Sequence, residues 1–101
     1  MHITVDPGKF CDQKLELRSI GENDYRIVIS NHTAGRIFKY ARGSMTLMWY
    51  WTITGPYCRA TGINTSGDCT TLGEARQAFR AAFDRWHAWA IRQNAEVSWR
   101  E

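Results

Sequence analysis

Met45-Thr46-Leu47-Met48-Trp49-Tyr50-Trp51-Thr52-Ile53-Thr54-Gly55-Pro56 is the stretch that decides the fold. Met45, Leu47, Trp49, Trp51 and Ile53 alternate with Thr46, Met48, Tyr50, Thr52 and Thr54. A period of two held from 45 to 54 predicts a strand with one buried face, and Gly55-Pro56 ends it with turn chemistry. Trp49 and Trp51 belong to the core side. Met48 and Tyr50 mark the reverse.

The same periodicity extends upstream. Residues 14–20 alternate, with Leu15 and Leu17 against Lys14, Glu16 and Arg18. After the turn residues Gly21-Glu22-Asn23-Asp24, residues 25–30 alternate again through Tyr25, Ile27 and Ile29, which predicts a hairpin. Asn31-His32-Thr33-Ala34-Gly35 reads as a break, and residues 36–42 as a third strand that Gly43-Ser44 turns into the tryptophan strand. Residues 58–66 are a weaker fifth strand, since Ile63 is their one strongly apolar side chain and Gly62 and Gly67 loosen them.

A helix is predicted over 71–93. Thr71-Leu72-Gly73-Glu74 has the form of a capping box, and Leu72, Ala75, Phe79, Ala82, Phe83, Trp86 and Ala90 share one stripe at about 100° per residue. One amphipathic helix and about five amphipathic strands imply an α+β domain: an antiparallel meander (14–20, 25–30, 36–42, 45–54, 58–66) with the helix across one face. Residues 1–101 form one domain, with 1–13 and 95–101 read as loosely ordered ends.

Composition narrows the class. No apolar run approaches the ~20 residues of a membrane span. The amino-terminal stretch lacks a basic region followed by an apolar one, so no signal peptide is expected. Three widely spaced cysteines, Cys11, Cys58 and Cys69, point to free thiols and a cytoplasmic setting rather than a disulfide framework. Between residues 25 and 67 there is no Asp or Glu, while Arg26, Arg36, Lys39, Arg42 and Arg59 place five cations there. Such a segment suits an anionic partner, or equally the charged edges that keep sheets from aggregating.

The combination Trp49-Tyr50-Trp51-Thr52-Ile53-Thr54-Gly55-Pro56, then Gly62-Ile63, Ser66-Gly67, Thr71-Leu72-Gly73-Glu74-Ala75 and Phe79, Phe83, Trp86, Trp89-Ala90, resembles small uncharacterised bacterial proteins. In these a Trp-x-Trp strand ending in Thr-Gly-Pro precedes an Ala- and aromatic-rich helix. The resemblance spans about residues 36–92 and implies an architecture and a bacterial source. It carries no activity or site.

No phosphate-binding glycine loop, Cys-x-x-Cys, His-Glu-x-x-His or nucleophile elbow occurs in the chain. Cys58, Cys69 and His87 have no recognised zinc spacing, and Asp84 with His87 reads as an exposed ion pair. No enzyme, metal or cofactor is expected. Binding has better material. Arg85, Trp89 and Arg92 share one flank of the helix, either as a recognition anchor or as a core-edge tryptophan under cation–π cover. The reverse of strands three and four is expected to present Ile37, Lys39, Met48 and Tyr50, with Arg59 nearby. That face suits a protein partner or homodimer; the alternative is nucleic acid held by the acid-free 25–67 segment.

Overall fold

A computed structural model describes residues 2–43, 46–58, 61–93 and 95–100, with the backbone alone at His2. The alternating segments become β2 (Glu16–Gly21), β3 (Asp24–Ile29), β4 (His32–Arg42) and β5 (Thr46–Ile53). With β6 (Ser66–Cys69) they form a five-stranded antiparallel sheet whose spatial order is the chain order. The expected α+β meander is therefore present.

β4 is longer than its sequence suggests. Ser30 and Asn31 both take positive φ (48° and 66°), so a tight two-residue turn replaces the expected break and the strand begins at His32. Ile27 pairs with Gly35 and Val28 with Thr33, leaving Ala34 as the extra residue of a bulge.

The helix α1 (Leu72–Arg92) lies within a residue of its expected bounds at either end. Glu74 N–H donates to Thr71 Oγ1 at 3.1 Å, as the capping box requires. The Glu74 carboxylate departs from that motif: it accepts from the hydroxyls of Thr70 (2.5 Å) and Thr71 (3.0 Å). Those two hydroxyls hold its carboxyl below the usual range. Ala75, Phe79, Ala82, Phe83, Trp86 and Ala90 are buried, as the stripe predicts.

The fifth strand is a correction. It is Ser66–Cys69, not 58–66. Thr61 N–H and Oγ1 both bond to Cys58 O, and Gly62 has φ +76°, so the chain turns at 61–62 rather than extending, while positions 59 and 60 of the expected strand lie outside the described residues. Gly67 pairs with Trp51, and a Cβ there would lie 2.9 Å from the indole Nε1. The Trp51 ring supplies the apolar cover that this polar strand lacks.

The chain ends are a second correction. β1 (His2–Val5) and β7 (Val97–Arg100) pair antiparallel as a two-stranded ribbon, and a 3-10 turn, Pro7–Phe10, follows β1. Val5, Phe10, Val97 and Trp99 are buried. The ribbon is fastened to the end of β5: Arg100 N–H donates to Gly55 O at 2.7 Å and Tyr57 N–H to Ser98 O at 3.2 Å. Gly55 is required there, because a Cβ would lie 2.6 Å from the Trp99 ring.

The core thus has two connected parts. Over the sheet, Trp51 meets Phe79 edge-on at 6.3 Å, above Ile37, Ile27 and Ile53. Beyond it, Phe10, Phe83, Trp86 and Trp99 form an aromatic cluster, with Trp86 and Trp99 at 5.7 Å and Phe10 and Trp99 at 5.4 Å. The indole N–H groups of Trp86 and Trp99 are buried with no hydrogen-bond partner among the described residues. Burial of roughly 150–250 Å² per aromatic, at about 25 cal/mol per Å², outweighs an orphan donor's cost of about 1–3 kcal/mol. Among the described residues no helix is long and apolar enough to cross a membrane. All three cysteines are free thiols.

Candidate functional site

The helix covers one face of the sheet, and no described element lies over the centre of the other. Cross-strand pairing identifies what that open face carries. Phe38 stands opposite Tyr50, Tyr40 opposite Met48, and Arg36 opposite Thr52. Phe38 and Tyr50 are 5.4 Å apart between ring centroids, and Tyr40 lies 6.3 Å from each. The three rings and Met48 are half-buried by one another.

Charge surrounds this aromatic triangle. The Arg36 guanidinium lies 4.4 Å from the Phe38 ring centroid and grips Asp24 with two bonds, Nε to Oδ1 at 2.8 Å and Nη2 to Oδ2 at 2.6 Å. That grip holds the Asp24 carboxyl below its ordinary value. On the other flank Tyr40 donates its hydroxyl to Asp68 Oδ1 at 2.5 Å, and this bond raises the phenol above its ordinary value. Arg26 stands opposite Arg36, and Arg42 continues the row at the far end of β4.

The expected face differs in two members. Ile37 is fully buried beneath the helix, and Lys39 also lies on the helix side, its Nζ 5.8 Å from the Trp49 ring centroid. Phe38 and Tyr40 take their places. The reason is register. A two-residue Gly43-Ser44 turn would set Arg42 against Met45, but Arg42 pairs with Thr46, so positions 43–45 intervene. One added residue exchanges the faces of β4 relative to β5.

Met48 and Tyr50 lie on the open face as expected, and Arg59 falls outside the described residues. Arg85, Trp89 and Arg92 belong to α1, on the opposite side of the sheet, so the two candidate surfaces do not join. Trp89 leans on the core with Arg85 and Arg92 exposed, and no guanidinium stacks on its ring among the described residues.

No cluster of three or more His, Cys, Asp or Glu forms among the described residues. His87 Nε2 donates to Pro7 O at 2.8 Å, and Asp84 faces Arg80 rather than His87. Burial pushes the Cys58 thiol up to about 11, and burial together with Glu74 and Asp68 also raises Cys69. Both shifts run opposite to those that activate a cysteine.

Protein-family models, curated proteins and solved structures offer no match to this chain.

Proposed function

We propose that this chain is a non-enzymatic protein-binding module, working in a bacterial cytoplasm, whose contact surface is the open sheet face around Phe38, Tyr40 and Tyr50. The observation that carries this reading is the triangle of mutually contacting rings on a face that no described element covers. Tyrosine, methionine and arginine are the side chains enriched at protein interfaces, and rigid aromatics lose little entropy on docking.

Charge separates a protein partner from nucleic acid. The 25–67 segment has no acid in sequence, yet β3 and β6 bring Asp24 and Asp68 to the two sides of the triangle. There they occupy Arg36 and Tyr40. A phosphate backbone approaching this face would meet both carboxylates. A protein with mixed charge would meet paired groups of either sign around an apolar centre.

A photo-reactive phenylalanine analogue at position 50 tests the reading. It should yield an adduct with one defined polypeptide, or with a second copy of the chain, that disappears when Phe38→Ser is added. The same probe at Arg85, on the outer surface of the helix, should give none. Fluorescence anisotropy with single-stranded and duplex oligonucleotides at low salt should show no binding. Salt-dependent binding abolished by Arg26→Glu and Arg42→Glu would replace the protein reading with the nucleic-acid one.

A further inference from the structure

The helix does not cover its whole face of the sheet. α1 packs mainly over β4, β5 and β6, so Ile27 of β3 is buried in the core while Leu15 and Leu17, at the β2 margin, stay half-exposed beside the helix. A groove of about 320 Å³ results, within the size range of recognition clefts. Leu15, Leu17 and Ile27 form its floor, Phe79 closes its inner end, and Arg76 and Arg80 stand along its helix wall.

Two features say what fits it. The first is that β2 is the margin of the sheet. No described backbone segment beyond β3 hydrogen-bonds to residues 15–20, so the outer edge of β2 keeps donors and acceptors for another strand. The second is charge over apolar floor. Arg76 and Arg80 are one helical turn apart and face the same groove. The carboxylate within reach of Arg80 is Asp84, at 3.8 Å with both side chains well exposed, and no ion pair engages Arg76 among the described residues.

We infer that this groove binds an extended peptide, added as a strand along the β2 edge, that carries an apolar side chain and a carboxylate two residues apart. Positions i and i+2 of a strand point to the same side. The apolar one then lies over Leu15 and Leu17 while the carboxylate reaches the guanidiniums of Arg76 and Arg80. Main-chain bonds to the edge supply affinity, and this pair of side chains supplies selection, as in other cases of strand addition. The site is separate from the open face and stands on different residues.

The test is a pool of synthetic peptides about eight residues long, enough for a typical strand. Each has one of Leu, Ile, Val or Met followed two positions later by Asp or Glu, with Ser, Thr and Gly elsewhere. Members should bind saturably, with amide shifts at residues 15–19 and 76–80. Changing the acid to its amide, or making Arg76→Glu with Arg80→Glu in the protein, should each weaken binding at least about tenfold, the scale of a charge-assisted bond. Methylating alternate backbone nitrogens of the peptide should abolish binding. Both arginines are exposed, and an unchanged circular dichroism melt of the double variant confirms an intact fold. Tyr50→Ser should leave peptide binding untouched, so failure here and failure of the open-face reading are distinguishable.

Three results would overturn the inference. One is a pool in which acids and amides bind alike. Another is equal binding by the N-methylated peptide. The third is displacement by dodecanoate with the same shifts and tighter binding, which would make the groove a site for amphipathic acids instead.

Discussion

Tyr50 and Trp51 are adjacent on β5, and each is an aromatic ring among aromatic rings, yet they do different things. Trp51 is buried against Phe79 and Gly67, with the helix above it. Tyr50 is half-exposed among Phe38 and Tyr40, with nothing described above it. On the covered side the rings are sealed by Ala, Ile and Phe. On the open side the polar atoms are satisfied laterally, Arg36 by Asp24 and Tyr40 by Asp68. Aromatic density therefore does not separate core from recognition surface in this fold. What separates them is whether neighbours close above the rings or around them.

The sharpest way to break that contrast is to truncate each neighbour in turn. Trp51→Ala should cost ~3–5 kcal/mol, a large share of a small domain's stability. Tyr50→Ala should cost about 0.5–1.5 kcal/mol, the scale of a surface aromatic contact. Urea unfolding of both variants checks this, and equal losses would mean that the open face is structural after all. A second, smaller effect is expected at Gly35. A Cβ there would collide with the Thr52 carbonyl oxygen and with the Phe79 ring, whose Cζ would lie 2.7 Å away. The carbonyl belongs to the backbone and cannot step aside. Gly35→Ala should destabilise by ~1–3 kcal/mol as an overpacking change. The same substitution at Gly43, which has open space around it, tests only its positive φ.

The contrast also explains which parts of the molecule were legible in the sequence. Long alternation gave β5 and β3, and the capped stripe gave α1, because each signal is repeated over many residues. The short strands left no such record. Val97-Ser98-Trp99-Arg100 does alternate buried and exposed, but four residues cannot be told from a tail until β1 arrives from the far end of the chain to pair with it. β6 is hidden for another reason. Its apolar cover comes from Trp51 rather than from its own side chains. The candidate site was half legible: Met48 and Tyr50 could be found by parity within one strand. Phe38 and Tyr40 needed the register between two strands, which the connection at 43–45 decides.

A third measurement concerns the covered side alone. Thr71 caps α1, and its hydroxyl is bonded to both the N–H and the carboxylate of Glu74. Thr71→Ala should lower stability by ~1 kcal/mol in thermal or denaturant unfolding. The loss should shrink in acid: Glu74 titrates below the ordinary glutamate range, so its contribution is full above that range and fades as pH falls through the folded value. Asp24, lowered by its bonds to Arg36, behaves the same way on the open side.

The smallest effect belongs to the open face and runs in the opposite direction. Tyr40 donates to Asp68, so ionising the phenol destroys the bond and sets two negative oxygens against each other. Its folded value is accordingly raised above the ordinary tyrosine pKa. A group raised on folding stabilises fully below its unfolded value, about 10 for tyrosine, and loses that contribution as pH climbs through the higher folded value. Ultraviolet titration of phenolate absorbance should show the Tyr40 phenol, identified by its loss in Tyr40→Phe, ionising above the ordinary tyrosine value. Asp68→Asn should bring it back toward that value, since the charge goes while the shape stays. If the late phenol persists in that variant, the Tyr40–Asp68 bond is not what holds the flank of the triangle, and Asp68 is then free to repel an anionic partner rather than being occupied by Tyr40.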